Sequence, residues 1–592
     1  MSLADDSLAC AAALVDALVA GGVRHASVSP GSRSTALALA LRRHGGVAVH
    51  VHLDERSAAF FALGIAKASG APVALACTSG TAAAEYLPAV VEASQSRTPL
   101  VVLSADRPPR LRGTGANQTI EQEGLYGGYV RAFLEPPVPA SASDAAAWAD
   151  VGARAVTAAT GRPAGPVHVN CGFEEPLVPE GASPRATGGA PAAEPADDGA
   201  DRDVARDAVA RLVGTYAGAR GVIAIGGLRP PATLALLSLG ELLGWPVLAE
   251  PLSGLRVDAA TAGRSLGAGP WLAGSAAWLD EHRPEVVLQV GAAPTTRASQ
   301  ALAGAAETLV VLDRDHLDPD PDGRAALRLL ADPELTAAVA WDAAAAGDPP
   351  RAADPAWAAG WRTADLVARA AVDRTIDAWD EPFEGRIARD LAGFVPGGAL
   401  LCVGSSTPVR DLDAYMAPRR MPLIWTRDDL VRYVANRGAS GIDGFVSTVL
   451  GAATADVGPT YALLGDLTFL HDAGGFVWSA RRSAPAVLVV VNNGGGEIFS
   501  LLPQRELPEH RELFVTPHGT DLAAVSAAAG AGHERVGTAR AFLPAVERAA
   551  REGGVRVVEV VVEPERNRAR RGEVRDAVDA ALAGAAARRD LR

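Results

Sequence analysis

Between Tyr461 and Leu502 apolar and polar blocks alternate in a way that predicts a β-α-β unit. Tyr461 to Leu464 and Ala486 to Val491 read as two buried strands, with a helical crossover between them. Each strand is expected to run into a polar loop, the first opening with Gly465-Asp466, the second with Asn492-Asn493 and then Gly494-Gly495-Gly496. A right-handed crossover sets parallel strands side by side with their C-terminal ends level, so Asp466 and Asn493 reach one point. One carboxylate, one amide oxygen and a free glycine carbonyl are hard oxygen donors, too few to cage an ion alone. That set suits Mg²⁺ completing its octahedron with water and substrate phosphates. The glycines let the backbone come close to a diphosphate. Either half alone reads as an ordinary strand end or turn; the pair at this spacing favours the ion.

Strand and helix alternate from Leu8 to about Pro179 as well, the pattern of a parallel sheet with helices on its faces. The loop Ser29 to Ser34, ahead of a helix from Thr35 to Arg43, offers an anion site in Ser32, Arg33 and the free N–H groups of the helix start. A capped helix with a surface arginine is the alternative. A strand from Val47 to Leu53 leads to Asp54-Glu55-Arg56 and a helix from Ser57 to Ser69. Glu55 therefore sits where open α/β sheets carry their ligand groups, while Asp54 reads as a solvated acid at the helix start. Thr78-Ser79-Gly80-Thr81, after the strand Val73 to Cys77, is a weaker contact motif. Arg107 ends the strand Val101 to Arg107, and a salt bridge to Asp106 explains it equally well.

Pro179 to Asp203 lacks apolar periodicity and reads as a linker. From Val204 to about Ala344 strands recur at Gly221 to Ile225, Val286 to Val290 and Leu309 to Leu312, a second doubly wound unit. Gly226-Gly227 is half a nucleotide fingerprint and reads as a tight turn. A second linker, Ala343 to Pro355, precedes a third unit with a strand at Ala399 to Val403 and a loop Gly404 to Arg410. That unit continues after Leu502 with a helix from Asp521, a helix Ala539 to Glu552 and a strand Val555 to Val562. The arginine run Arg566, Arg568, Arg570, Arg571 reads as a solvated face. We expect an α/β protein of three doubly wound parallel-sheet domains, at residues 1–180, 204–344 and 356–592.

Composition narrows the picture. At 592 residues the chain is too long for one core. A net charge of −14 argues against a nucleic-acid partner. Lys67 is the only lysine and lies in a predicted helix, which argues against a phosphate-loop or Schiff-base lysine and leaves anion binding to arginine. Cys10, Cys77, Cys171 and Cys402 are scattered through apolar segments, as buried free thiols in a reducing compartment would be. No leader pattern and no long uncharged apolar run occurs, so we expect a cytoplasmic protein without membrane insertion.

Gly465-Asp466 with Asn492-Asn493 resembles the diphosphate-metal motif of the thiamine diphosphate enzymes, with Leu467 where many have glycine. The tail Gly494 to Pro503 is similar to one branch, the 2-succinyl-5-enolpyruvyl-6-hydroxy-3-cyclohexene-1-carboxylate synthases of menaquinone biosynthesis. So are Ser104 to Pro108, Ala116 to Ile120 and Val434 to Gly444. The resemblance implies thiamine diphosphate with Mg²⁺ or Mn²⁺, the metal on Asp466, Asn493 and Gly495. It also implies a pyrimidine-binding, a central and a diphosphate-binding domain, in that order.

By the same resemblance Glu55 bonds N1′ of the aminopyrimidine and drives its imino tautomer, which a carboxyl of raised pKa in an apolar pocket suits. Thr78, Ser406, Gly465, Ile498 and Phe499 contact the cofactor. Ile442 wedges it so that the pyrimidine amine reaches the thiazolium. Ser32, Arg33, Arg107, Asn117, Gln118, Arg297, Ser406, Arg410, Arg437, Phe499 and Leu502 meet the substrates 2-oxoglutarate and isochorismate, with Arg410 and Arg437 on the acceptor side. Some members carry two adjacent basic residues where this chain has Thr296-Arg297, and a surface arginine is the alternative for Arg297. The implied reaction is decarboxylation of 2-oxoglutarate and conjugate addition of the succinyl carbanion equivalent to isochorismate. The implied assembly is a homodimer or homotetramer in which Glu55 of one subunit meets Asp466 of another.

Overall fold

The computed structural model describes residues 2–180, 199–228, 233–315, 319–455 and 457–590. Three all-parallel sheets carry the chain. The first contains β1 (His25–Val28), β2 (Ala48–Val51), β3 (Val73–Cys77), β4 (Leu100–Asp106), β5 (Phe133–Leu134) and β6 (Pro166–Gly172), in the order β2-β1-β3-β4-β6-β5. Strands buried on both faces read as continuous apolar runs, and β3 and β4 are buried at every position.

The second sheet is built from β7 (Gly221–Ile225) and β8 (Val247–Ala249), then, beyond the short strands β9 (Val257–Ala259) and β10 (Gly263–Arg264), from β11 (Val286–Val290), β12 (Thr308–Leu312) and β13 (Ala325–Leu329). Its order is β13-β12-β11-β7-β8. The third contains β14 (Leu400–Val403), β16 (Arg432–Val434), β17 (Thr460–Gly465), β18 (Ala486–Asn492), β19 (Gly532–Val536) and β20 (Val555–Val561), ordered β16-β14-β17-β18-β20-β19. Between β14 and β16, β15 (Arg419–Arg420) joins β9 and β10 in a small sheet that ties the second unit to the third.

Strand order reverses between β1 and β3 in the first sheet and between β14 and β17 in the third. Open α/β sheets bind ligands in the crevice at such a point. The loops after β1 and β3 touch there: a Cβ on Gly31 would collide with the Thr78 side chain. Gly404 N–H donates to Leu463 carbonyl at 2.8 Å, holding the loop after β14 against β17.

Four expectations need correction. The helix after β2 begins at Glu55, because Asp54 caps it by accepting the Ser57 N–H at 3.2 Å. β17 passes straight into the helix Asp466–His471 with no intervening loop. Of the expected linker Pro179 to Asp203, residues 181–198 lie outside the described residues, and 199–203 belong to the helix Gly199–Tyr216, which docks through buried Ala205, Ala208 and Leu212. The arginine run is only partly a solvated face. Arg570 lies over the Trp379 ring, and Arg571 joins Glu384 and Asp411, both almost wholly buried.

Candidate active site

β17 and β18 are in register from Thr460–Ala486 to Gly465–Val491, so Asp466 and the Asn493 turn leave the sheet side by side. Asp466 is 2% exposed. Its Oδ1 accepts the Leu467 N–H at 2.6 Å, and its Oδ2 accepts those of Gly494 and Gly495 at 2.8 and 3.0 Å. His518 Nε2 lies 3.3 Å from Oδ2. The His518 Nδ1 accepts the Thr520 N–H at 2.9 Å, which puts the proton of the neutral ring on Nε2, the nitrogen nearer the carboxylate. Burial raises the Asp466 carboxyl above its ordinary range despite these donors.

Asn493 donates Nδ2 to Glu384 Oε1 at 2.8 Å, and its buried Oδ1 has no hydrogen-bond partner among the described residues. An orphaned buried acceptor is unfavourable unless something electropositive faces it. The Gly495 carbonyl accepts one bond, from Glu497 N–H at 2.9 Å, and keeps a second lone pair. Gly495 stands at φ 152°, where a Cβ would run into the Val515 carbonyl. A Cβ on Gly465 or Gly494 would meet nothing, so space is open before both turns. No group of three His, Cys, Asp or Glu side chains among the described residues suits a metal. A cation here would take carboxylate, amide and backbone oxygens from the chain and its remaining ligands from a bound anion, which fits Mg²⁺ with a diphosphate. Ile498, Phe499 and Leu502 follow, half-buried, with the Phe499 ring 5.6 Å from that of Phe514.

Glu55 occupies the first turn of its helix, half-buried. Its carboxyl pairs with no side chain among the described residues. Burial, then the charges of Asp54 and Glu85, raise its pKa. Near it lie the fully buried Cys77 and Tyr86. Arg33 is 8% exposed, donating to the Phe173 carbonyl at 3.0 Å and to Glu175 at 3.1 Å; it is no surface arginine. Asp106 pairs with Arg112 at 3.0 Å. The Arg107 guanidinium instead donates to Ser79 Oγ and to the Gln118 carbonyl at 3.0 Å. Burial and the neighbouring Arg33 charge lower the Arg107 pKa. Ser32 and Asn117 are exposed, Thr78 is buried, and Gln118 is held at φ 55°.

A second arginine group forms at the other switch point. Arg410 senses the charges of Arg437 and Arg297, and burial together with those cations lowers its pKa. Its Nη1 donates to the Ser406 carbonyl at 2.5 Å, and Ser406 stands at φ 77° and ψ −134° at the start of the helix Thr407–Tyr415. Arg297 is exposed at the start of the helix Arg297–Ala305. Thr296 caps that helix and donates to Asp413 at 3.0 Å. Ile442 is half-buried in the loop after β16. A cavity of about 770 Å³ reaches this group at Arg437, the only predicted site residue in its lining.

Sequence reasoning missed Glu384 and Arg571 behind Asn493, His518 beside Asp466, and Glu92 behind the Arg437 loop. None lies near its partner in the chain, so no local motif marks them.

Two switch-point crevices, an acidic corner whose amide oxygen has no partner among the described residues, and the half-buried Glu55 carboxyl of raised pKa fit a thiamine diphosphate enzyme, and the comparisons show that class. The family description "Thiamine pyrophosphate enzyme, N-terminal TPP binding domain" matches residues 9–125, and "Thiamine pyrophosphate enzyme, C-terminal TPP binding domain" matches residues 423–560. The chain is 43% identical to the 2-succinyl-5-enolpyruvyl-6-hydroxy-3-cyclohexene-1-carboxylate synthase of Thermobifida fusca, over 97% of this chain and 99% of the relative. It is 39% identical to the synthases of that name from Geobacillus kaustophilus, over 94% and 95%, and Chloroflexus aurantiacus, over 94% and 94%. The chain belongs to this synthase family of menaquinone biosynthesis.

Proposed function

We propose that the chain breaks the C1–C2 bond of 2-oxoglutarate, releasing CO₂, and joins C2 of the remaining succinyl unit to the ring of isochorismate by conjugate addition. The observation that carries this reading is the pairing of the Asp466–Asn493 corner with two arginine groups, since both substrates are dicarboxylates. When bound, thiamine diphosphate supplies the nucleophilic thiazolium carbon and the electron sink.

The chain's residues do the rest. Asp466, Asn493 Oδ1 and the Gly495 carbonyl hold Mg²⁺ or Mn²⁺, and Gly465, Thr78 and Ser406 contact the cofactor. Glu55, raised by burial, shares a proton with N1′ of the aminopyrimidine. Ile442 would pack against the cofactor, with Ile498 and Phe499 beside it. Arg33, Arg107, Ser32, Asn117 and Gln118 meet substrate carboxylates at one switch point; Arg297, Arg410 and Arg437 meet those of the acceptor at the other, flanked by Ser406, Phe499 and Leu502. Guanidinium forks suit paired carboxylates better than ammonium would.

We assign residues 1–180 to pyrimidine binding, 204–344 to a central domain and 356–592 to diphosphate binding. The active form is a homodimer or homotetramer in which Glu55 serves the Asp466 of a second copy. Supporting this, the Glu55 carboxyl has no side-chain partner among the described residues of its own chain, and the nearby Leu53 is 66% exposed. No helix among the described residues is long and apolar enough to cross a membrane. All four cysteines are free and buried, which supports a cytoplasmic setting.

The test is CO₂ release from 2-oxoglutarate with thiamine diphosphate and Mg²⁺, with and without isochorismate, following the adduct by mass. Isochorismate-dependent release with the adduct is expected. Release from pyruvate instead, or cofactor binding without turnover, would overturn the reading.

A further inference from the structure

An asparagine serves a metal only oxygen-first, yet its oxygen and nitrogen are nearly the same size. Something must choose between the two orientations, and a neighbour that only accepts hydrogen bonds makes that choice. Glu384, at the start of the helix Glu384–Phe394, is such a neighbour: its Oε1 takes the Asn493 Nδ2–H at 2.8 Å, which turns Oδ1 away. Glu384 is itself pinned twice by the C-terminal helix Pro564–Asp590. Arg571 Nη2 donates to its Oε2 at 2.6 Å, and Asn567 Oδ1 accepts its backbone N–H at 3.2 Å. Arg571 in turn holds Asp411, the residue next to Arg410, whose Oδ2 lies 2.7 Å from Nη2.

We infer that Glu384 is the positioning residue that presents Asn493 oxygen-first to the cation, and that the C-terminal helix, which lies beyond the matched cofactor-binding region, sets it in place. The inference rests on the proposed reading of Asp466 and Asn493 as metal ligands. It makes one helix a common support for both ends of the site, the metal corner through Glu384 and the acceptor arginines through Asp411.

The experiment exchanges amide and carboxylate. Binding of thiamine diphosphate to the full chain is followed by tryptophan fluorescence as Mg²⁺ is titrated, without substrate. Glu384→Gln leaves Arg571 paired with Asp411, so folding is expected to survive, and the half-saturating Mg²⁺ concentration should rise about tenfold or more. Asn493→Asp alone sets two carboxylates face to face and should do the same. In the double variant Glu384→Gln/Asn493→Asp the amide introduced at position 384 donates to one oxygen of the carboxylate introduced at position 493 and leaves the other to the metal. Mg²⁺ dependence should then return to within about threefold of the parent.

A Glu384→Gln variant with the parent's Mg²⁺ dependence would overturn the inference. So would a double variant no better than the worse single, a comparison that holds even where Glu384→Gln alone folds poorly. Asp466→Ala separates the two levels: if it too leaves the Mg²⁺ dependence unchanged, the metal reading falls; if it abolishes binding while Glu384→Gln matches the parent, only the role of Glu384 falls.

Discussion

Lys67 and Glu92 form a buried ion pair at 2.7 Å that holds the Arg437 loop to the first sheet's helices. Lys67 Nζ also donates to the Ala435 carbonyl at 2.7 Å, and Glu92 accepts the N–H groups of Gly438 and Ala439 at 3.0 and 2.6 Å. Arg437 lies inside the bracket these bonds make. Breaking a buried pair by removing one partner costs about 3–5 kcal/mol. Lys67→Met should lower stability by that order in urea unfolding and raise KM for isochorismate more than it lowers kcat. Adding Glu92→Gln should recover part of the stability loss, because the two sites are coupled. Additive losses, or an unchanged KM, would refute this account.

Ser406 carries a backbone conformation that non-glycine residues rarely adopt, φ 77° with ψ −134°. Such strain costs of order 1–3 kcal/mol and persists where the surroundings impose it. Ser406→Gly should therefore stabilise the chain by about 1 kcal/mol in denaturant titration. If the strained turn aims the hydroxyl and carbonyl at the site, the same variant lowers kcat/KM. A variant no more stable than the parent would show the conformation to be unstrained in solution.

Much of this organisation was legible in the chain because apolar runs such as Ala486 to Val491 are strands buried on both faces, and such strands need no periodicity to be seen. Short or half-exposed strands escaped: β8 has three residues, and β13 exposes alternate positions. The helix start at Glu55 was shifted by a side-chain cap, since Asp54 accepts from Ser57. Arg571 escaped for a different reason. It sits in a charged run that locally resembles a solvated face, and its partners lie 160 and 187 positions away. Long-range charge pairing leaves no local signature, so Glu384 was invisible although Asn493 was not.

Asp472 gives the contact between the Glu55 helix and the third unit a pH dependence. It is buried, accepting the Ser447 N–H at 2.6 Å and the Ser57 hydroxyl at 3.4 Å. Burial pushes its carboxyl up to about 6, whereas an unfolded aspartate titrates near ~3.9. The folded chain thus holds this proton more tightly than the unfolded one. Stability from the group is fully present below the unfolded value and is lost as pH rises through about 6. Asp472→Asn stays neutral throughout and keeps an acceptor for Ser447. The parent should lose roughly 2 kcal/mol relative to that variant as pH rises from about 4 to about 7, read from urea unfolding. Parallel pH profiles would show that Asp472 is ionised in both states.

Arg410 presents the sharpest conflict between stability and function. Burial and the charges of Arg437 and Arg297 all work against its cation, and no carboxylate among the described residues bonds its guanidinium. A cation held in this way is unfavourable until an anion arrives, which is what a carboxylate site requires. Arg410→Met keeps the stem and removes the repulsion, so the substrate-free chain should be as stable as the parent or up to about 1 kcal/mol more so. If Arg410 binds an acceptor carboxylate as proposed, the same change leaves that carboxylate without its fork, a loss of about 2–5 kcal/mol for a desolvated charge pair, so kcat/KM for isochorismate should fall at least about thirtyfold. Arg410→Lys should restore charge without the planar fork and recover only part of that loss. Stability and activity moving in opposite directions in one variant would identify Arg410 as a ligand group. A joint fall in both would make it a packing residue, with its bond to the Ser406 carbonyl as its main contribution.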